Sequence, residues 1–219
     1  MRGMILETGR GPIATARAQH HEFANCLHTM AGLLHMEMYD RASEFIAELT
    51  RIRTRETQYA DRVREPVLSA LLVGKSAVAA ERGVVLRIGA GTDLPRRALV
   101  PHDLMMVLGN LIDNALDSVA SHRVPDSRVD VSIWAEGDTA VLRVADNGPG
   151  VPPDARPFVF LKGWSTKQPH GGRGMGLAQV RWITDRYDGT ATVDERVGGG
   201  AVFTVRLPRA LAPEATAVR

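Results

Sequence analysis

Three short motifs in fixed order constrain this chain more than anything else in it: Asn110-Leu-Ile-Asp-Asn114, Asp146-Asn-Gly-Pro-Gly150 and Gly172-Arg-Gly-Met-Gly176. In the first, Asn110 and Asn114 are four apart and share one helical face, although interior asparagine is a poor helix former. The second follows an alternating run and sets a carboxylate before two glycines, which is good turn chemistry. The third is almost free of side chains and opens a helical run, so backbone N–H groups can approach an anion where the helix end is partly positive. Singly, each has a plainer reading: a capping or solvent-facing amide, a strand-ending turn, a glycine loop. Together, in one continuous segment, they can hold a metal, a base and a polyphosphate. Those are the requirements for binding ATP.

The chemistry assigns roles. Asn114 offers a neutral carbonyl oxygen to a hard cation such as Mg²⁺, which takes oxygen ligands alongside phosphate. In the functional reading Asp146, which precedes Gly148 and Gly150, is a buried carboxylate that accepts a hydrogen bond from the adenine amino group, the plainer reading being a strand-ending turn. The G-x-G-x-G spacing, with no buried strand directly before it, excludes a dinucleotide fingerprint, and the missing Gly-Lys-Ser/Thr excludes a Walker loop. Between the glycine motifs lies Phe160-Leu-Lys-Gly-Trp-Ser-Thr-Lys167; Lys162, Lys167 and Arg173 can all screen polyphosphate charge. Lys162 reads equally well as a solvated surface lysine. Lys167, beside Ser165 and Thr166, favours phosphate contact.

Composition matters mainly for what it excludes. With 219 residues, 44% hydrophobic and 24% charged, the chain can build a sizeable core in one or two domains. A formal charge of +2 gives no nucleic-acid footprint. Cys26 is the single cysteine, so no internal disulfide forms. No apolar stretch reaches the roughly 18 residues that span a bilayer. The expectation is a cytoplasmic chain, or the cytoplasmic part of something larger.

Periodicity divides the chain. Ile13 to Met38 reads as a helix with Phe23, Leu27, Met30, Leu34 and Met38 on one stripe, followed by a turn from Met36 to Asp40. A second helix carries Ala42, Phe45, Ile46, Leu49 and Ile52. A lone hairpin cannot bury both stripes, so a homodimer forming a four-helix bundle is expected. Pro66 to Arg82 reads as a helix capped by Gly83, Val84 to Ile88 as a strand, and Leu104 to His122 as the helix of the first motif. Arg128 to Trp134 and Thr139 to Ala145 form a hairpin, and Pro149 to His170 a long mobile loop. Met175 to Tyr187 is a helix, and Thr190 to Glu195 with Ala201 to Leu207 a closing hairpin. The expected plan is α+β: an extension over 1–12, a helical hairpin over 13–62, an α/β sandwich over 63–208 and a disordered tail over 209–219.

Residues 66 to 208 resemble the ATP-binding domain shared by histidine kinases, gyrase, the Hsp90 chaperone and MutL. Asn110 to Asn114 is similar to the N box, Asp146 to Gly150 to the first glycine box, Phe160 to Lys167 to the phenylalanine box, and Gly172 to Gly176 to the second. The resemblance implies ATP and Mg²⁺ beneath a mobile lid, here Pro152 to Gly171. It also implies ATP contacts from Asn110, Asp113, Asn114, Asp146, Gly148, Gly150, Lys162, Ser165, Thr166, Lys167, Gly172, Arg173, Gly174, Met175, Gly176 and Leu177, with Asn114 on the metal.

Upstream, Gln19-His-His-Glu-Phe-Ala-Asn25 resembles the phosphoacceptor helix of citrate- and C4-dicarboxylate-type sensor kinases. That resemblance implies autophosphorylation of His21 and transfer to an aspartate on a response regulator receiver domain. Glu22, adjacent in sequence, supplies a carboxylate for the general-base role that the imidazole needs. Asn25, one turn on, can orient phosphate or a hydrolytic water, and the family pattern is associated with phosphatase activity. A helical histidine is more often packing or surface than catalysis, and His20 competes by adjacency, but the His-Glu-Phe-x-Asn match selects His21. The alternative expectation is a non-catalytic phosphorelay adaptor whose nucleotide domain is idle.

Overall fold

The structure, a computed structural model, describes residues 28–50, 63, 65–94, 98–122, 124, 126–164 and 174–212, with the backbone alone over 46–50. The chain divides into two compact units, Met1–Arg53 and Thr54–Arg219. His21, Glu22 and Asn25 lie outside the described residues, as do Ser165, Thr166, Lys167, Gly172 and Arg173.

In the first unit residues 28–35 are helical (α1), and helix α2 spans Tyr39–Thr50. The break is narrower than the expected turn. Glu37 takes a left-handed φ of 55°, the Met38 N–H reaches back to the Leu33 carbonyl at 2.9 Å, and the Glu37 N–H reaches Leu34 at 3.1 Å. That pattern satisfies the last carbonyls of α1 and reverses the chain within three residues. Leu34, Met36 and Tyr39 stay exposed, whereas Ala42 is buried.

The second unit begins its regular structure with α3, Pro66–Glu81, with proline in its first turn and Gly83 (φ 68°) beyond its end. Then come β1 (Val85–Ile88), α4 (Pro101–Ser121), β2 (Arg128–Glu136), β3 (Thr139–Asp146), α5 (Gly176–Arg186), β4 (Thr190–Glu195) and β5 (Ala201–Leu207). The five strands form one mixed sheet ordered β1-β2-β3-β5-β4, parallel between β1 and β2 and antiparallel elsewhere. All three helices pack on the sheet: α3 on β1, α4 on β2 and β3, α5 on β4 and β5. The period of two is explicit. Val129, Val131 and Ile133 are fully buried while Asp130, Ser132 and Trp134 between them are not. Opposite them Leu68, Leu72, Leu104, Leu108, Leu111 and Leu116 supply the helical side of the core. This is the expected two-layer α/β sandwich.

Two expectations are corrected. The stretch after Pro149 is not a loose loop over its described part: residues 153–163 form successive tight turns, with Ala155, Phe158 and Leu161 N–H groups bonded three residues back at 2.9–3.0 Å. The sequence pattern misled because prolines and glycines also start and stop compact turns. Val159 is buried, and Phe160 meets Phe203 edge-on with ring centroids 6.1 Å apart. The tail is not disordered where it starts. Ala210 and Leu211 are buried, the Leu99 N–H bonds to Ala210 O at 2.8 Å, and the Leu211 N–H bonds to Asp138 O at 3.0 Å. Two small apolar residues behind a proline carry too weak a period to be read as structured.

Leu211 therefore contributes like any core leucine. Leu211→Ala should cost about 2–4 kcal/mol, seen as a lower urea midpoint at unchanged slope. An unchanged midpoint would show that this segment adds nothing to the core.

Candidate nucleotide-binding site

The site is built where α4, the end of β3 and the start of α5 converge. Helix α4 buries Leu104, Leu108, Leu111, Ile112, Ala115 and Val119 against the sheet, and its asparagine face runs along the margin of that stripe. Asn110 donates from Nδ2 to the Met106 carbonyl at 2.9 Å and to Gln179 Oε1 at 3.3 Å, tying α4 to α5. Its Oδ1 lies 3.0 Å from where a Cβ on Gly176 would stand, so the first residue of α5 can press closely on the asparagine. One turn further along α4, Asn114 lines a cavity of ≈ 330 Å³. Ser118, Ser121, His122, Gly150, Val151, Val159, Trp164, Leu177 and Phe203 also line it. A mostly apolar wall with a few polar groups on one side is what a small ligand with one flat apolar part requires.

Asp113 departs from the expectation. Lys75 on α3 donates to both of its carboxylate oxygens at 2.6 Å, and it does not line the cavity. At about 100° per residue, a helix that turns Asn114 to the cavity turns Asp113 aside toward α3. The pair is half exposed on the aspartate side and contributes at most about 1 kcal/mol.

Asp146 ends β3 and is 1% exposed. Its Oδ1 accepts the Gly148 N–H at 2.8 Å, and the Ala201 N–H also bonds to the carboxylate. Burial pushes this carboxyl above its ordinary 3.8, against those two N–H groups and the positive charge of Arg196, which pull it down. Asn147 faces away from this chemistry: its Oδ1 accepts the Arg128 N–H at 2.7 Å and its Nδ2 donates to the Asp126 carbonyl at 3.0 Å, fastening the end of β3 to the start of β2.

The glycines act through close backbone approach. Gly200 has φ 109°, and a Cβ there would stand 2.0 Å from the Asp146 carbonyl oxygen. Gly150, at φ 77°, packs on the Gly200 carbonyl in turn. In the third motif, the Gly174 carbonyl accepts the Gly163 N–H at 3.2 Å, which closes the described end of the turn-rich segment onto the start of α5. Met175 is exposed just before that helix, Leu177 lines the cavity and Lys162 is exposed.

Among the expected residues, the structure thus gathers Asn114, Gly150 and Leu177 on one cavity, and sets Asp146 and Gly148 against Ser118 on its wall. Sequence reading missed Ser118, Ser121, His122, Trp164 and Phe203 as lining residues. Ser118 was findable, since it continues the Asn110–Asn114 spacing by one more turn. Phe203 and Trp164 carried no such signal. Among the described residues no group of three His, Cys, Asp or Glu side chains could hold a metal.

Residues 100–211 match the family model described as Histidine kinase-, DNA gyrase B-, and HSP90-like ATPase, and residues 10–60 the one described as Sensor_kinase_SpoOB-type, alpha-helical domain. Sensor protein CitS of Halalkalibacterium halodurans is 34% identical over 201 residues, covering 90% of this chain and 37% of its own. A probable C4-dicarboxylate sensor kinase of Bacillus subtilis is 31% identical, covering 91% of this chain and 38% of its own. Sensor histidine kinase DcuS of Escherichia coli (strain K12) is 30% identical, covering 88% and 35%. The chain spans little more than a third of the length of these curated relatives. Among solved structures, full-length ShkA in complex with AMPPNP superposes with a TM-score of 0.56 at 29% identity, over 67% of this chain and 30% of that one. The catalytic domain of histidine kinase ThkA superposes at 0.52 and 22% identity, over 65% and 92%, and speaks for the fold alone.

Two outcomes follow from the geometry. The folded Asp146 carboxyl has the higher pKa, so the folded state binds more protons than the unfolded chain just above pH 3.8, and stability falls as pH rises through that interval. Asp146→Asn should therefore melt no lower than the wild type at pH 7, with the wild type gaining on the variant as pH is lowered through the interval. A variant melting well below the wild type at pH 7 would contradict the buried-charge account. Gly200→Ala forces a side chain onto backbone at a positive φ and should cost at least about 3 kcal/mol in chemical denaturation. A cost under about 0.5 kcal/mol, the range of a neutral surface change, would refute the close contact.

Proposed function

From the premise that this chain belongs to the histidine kinase-, DNA gyrase B- and HSP90-like ATPase family, we propose that it is the catalytic core of a histidine autokinase in a two-component system. The observation that carries this reading is the pairing of the buried Asp146 with an Asn114-lined cavity on the same domain. Adenine enters the apolar wall, its amino group donates to Asp146, and the phosphates run toward Asn114 and the glycine loop that opens α5. The Asn114 side chain makes no hydrogen bond among the described residues, and its amide oxygen fits a cation whose other ligands are phosphate oxygens and waters. Bound there, Mg²⁺ would neutralise charge on the phosphates.

His21 is the acceptor in this reading. One imidazole nitrogen attacks the γ-phosphorus in line, the bond from that phosphorus to the bridging oxygen breaks, and ADP leaves with the electron pair. Glu22 takes the proton from the other ring nitrogen. An aspartate carboxylate of a response regulator receiver domain then attacks that phosphorus, the bond from phosphorus to the imidazole nitrogen breaks, and Glu22 returns its proton to the ring, so His21 leaves neutral. Phosphoryl transfer of this kind depends on positioning and charge neutralisation, so Asn114 and Lys167 matter as much as Glu22.

The exposed Leu34, Met36 and Tyr39 support a homodimer through the helical hairpin, since each would otherwise leave apolar surface in water. Supply of ATP puts the reaction in the cytoplasm, and no helix of the described residues is long and apolar enough to cross a membrane.

Incubation with γ-labelled ATP and Mg²⁺ should give acid-labile, base-stable label on the wild type and none on His21→Gln. Glu22→Gln should slow labelling by about 10²–10⁴-fold. Label retained on His21→Gln would overturn the assignment of the acceptor.

A further inference from the structure

Among the described residues of the cavity wall, Ser118 brings its hydroxyl to the same glycine that the buried carboxylate bonds. Its Oγ lies 2.6 Å, and Asp146 Oδ1 2.8 Å, from a single point, the place where a Cβ on Gly148 would stand. That place is too tight for a side chain, and glycine at 148 lets hydroxyl and carboxylate both close on the same stretch of backbone.

The hydroxyl is also uncommitted. Within a helix, serine and threonine commonly donate to the carbonyl one turn earlier. Ser76 does so to the Leu72 carbonyl, and Thr184 to the Val180 carbonyl, both at 2.8 Å. Ser118 Oγ makes no hydrogen bond among the described residues. Its own backbone carbonyl is instead engaged by His122 Nδ1 at 2.8 Å, which pins the last turn of α4 and with it the position of the hydroxyl. A half-buried hydroxyl with no protein partner, on a cavity wall, is free to donate to a ligand that enters.

We propose that Ser118 is a base-reading residue, donating its hydroxyl hydrogen to a ring nitrogen of adenine while Asp146 accepts from the neighbouring amino group. This rests on the nucleotide reading above and adds to it a second hydrogen bond. Adenine presents a donor, the N6 amino group, flanked by the acceptors N1 and N7. The site offers the complementary acceptor and donor side by side. Guanine carries an acceptor oxygen where adenine has its amino group, and that oxygen would face the Asp146 carboxylate. Two adjacent complementary groups discriminate more sharply than one, because a base that mismatches either leaves a half-buried polar group unpaired.

The test is calorimetric titration of the full chain with ATP, 1-deaza-ATP, 7-deaza-ATP and GTP. Ser118→Ala should bind ATP about five- to tenfold more weakly than the wild type. That loss should vanish with whichever deaza analogue lacks the nitrogen that Ser118 contacts and persist with the other. Ser118→Thr, which keeps a hydroxyl, should stay within about twofold of the wild type. Alanine favours the helix, so Ser118→Ala should melt no lower, and a general loss of structure would weaken all adenine nucleotides equally. Equal losses for ATP and both analogues, or no loss at all, overturn the proposal while leaving ATP binding intact. A wild type with no affinity for ATP overturns the nucleotide reading itself.

Discussion

The backbone of Gly200 runs so close to the carbonyl of Asp146 that no side chain fits between them, and the geometry of the site follows from that contact. It brings the first residues of β5 beside the last residue of β3, so the Ala201 N–H reaches the Asp146 carboxylate. It also gives Gly150 a surface on which to turn, which directs the chain from β3 over the end of α4. With Gly148, whose N–H bonds the carboxylate, three glycines from two distant stretches of sequence thus set its position. A side chain at Gly200 would push the strand ends apart.

That carboxylate is held in tension. Burial raises its pKa, and two backbone N–H groups with the charge of Arg196 offset only part of the cost. A carboxylate left under-bonded in a dry place gains most from a further donor, and an adenine amino group is such a donor. The same burial that costs stability in the empty protein strengthens recognition in the filled one. On the proposed nucleotide reading, binding and stability are therefore opposed at Asp146, as they often are at binding sites.

Much of this was legible in the sequence because it rests on local rules. The asparagine face of α4 follows from spacing four along a helix, the hairpin of β2 and β3 from alternation around Gly137-Asp138, and the cap of α3 from Gly83. What escaped reading depends on contacts between distant residues. Leu211 looked like tail because its neighbours Ala98 and Asp138 lie far away in sequence. The segment after Pro149 looked loose because turns and mobile loops use the same residues, and the contacts that hold its turns in place, Val159 in the core and Phe160 against Phe203, are made with distant residues. Asp113 shares a motif with Asn114, yet the rotation of the helix sets it on Lys75 rather than on the Asn114-lined cavity, which the motif alone does not tell.

The central claim is that Asp146 receives the adenine amino group at a cavity walled by α4. A crystal structure of the full chain with Mg²⁺ and a non-hydrolysable ATP analogue tests it most directly. The account predicts the amino nitrogen within about 3 Å of the Asp146 carboxylate, with the ring between Val159, Leu177 and Phe203. An analogue bound with its base elsewhere, and Asp146 still satisfied only by Gly148 and Ala201, would contradict it.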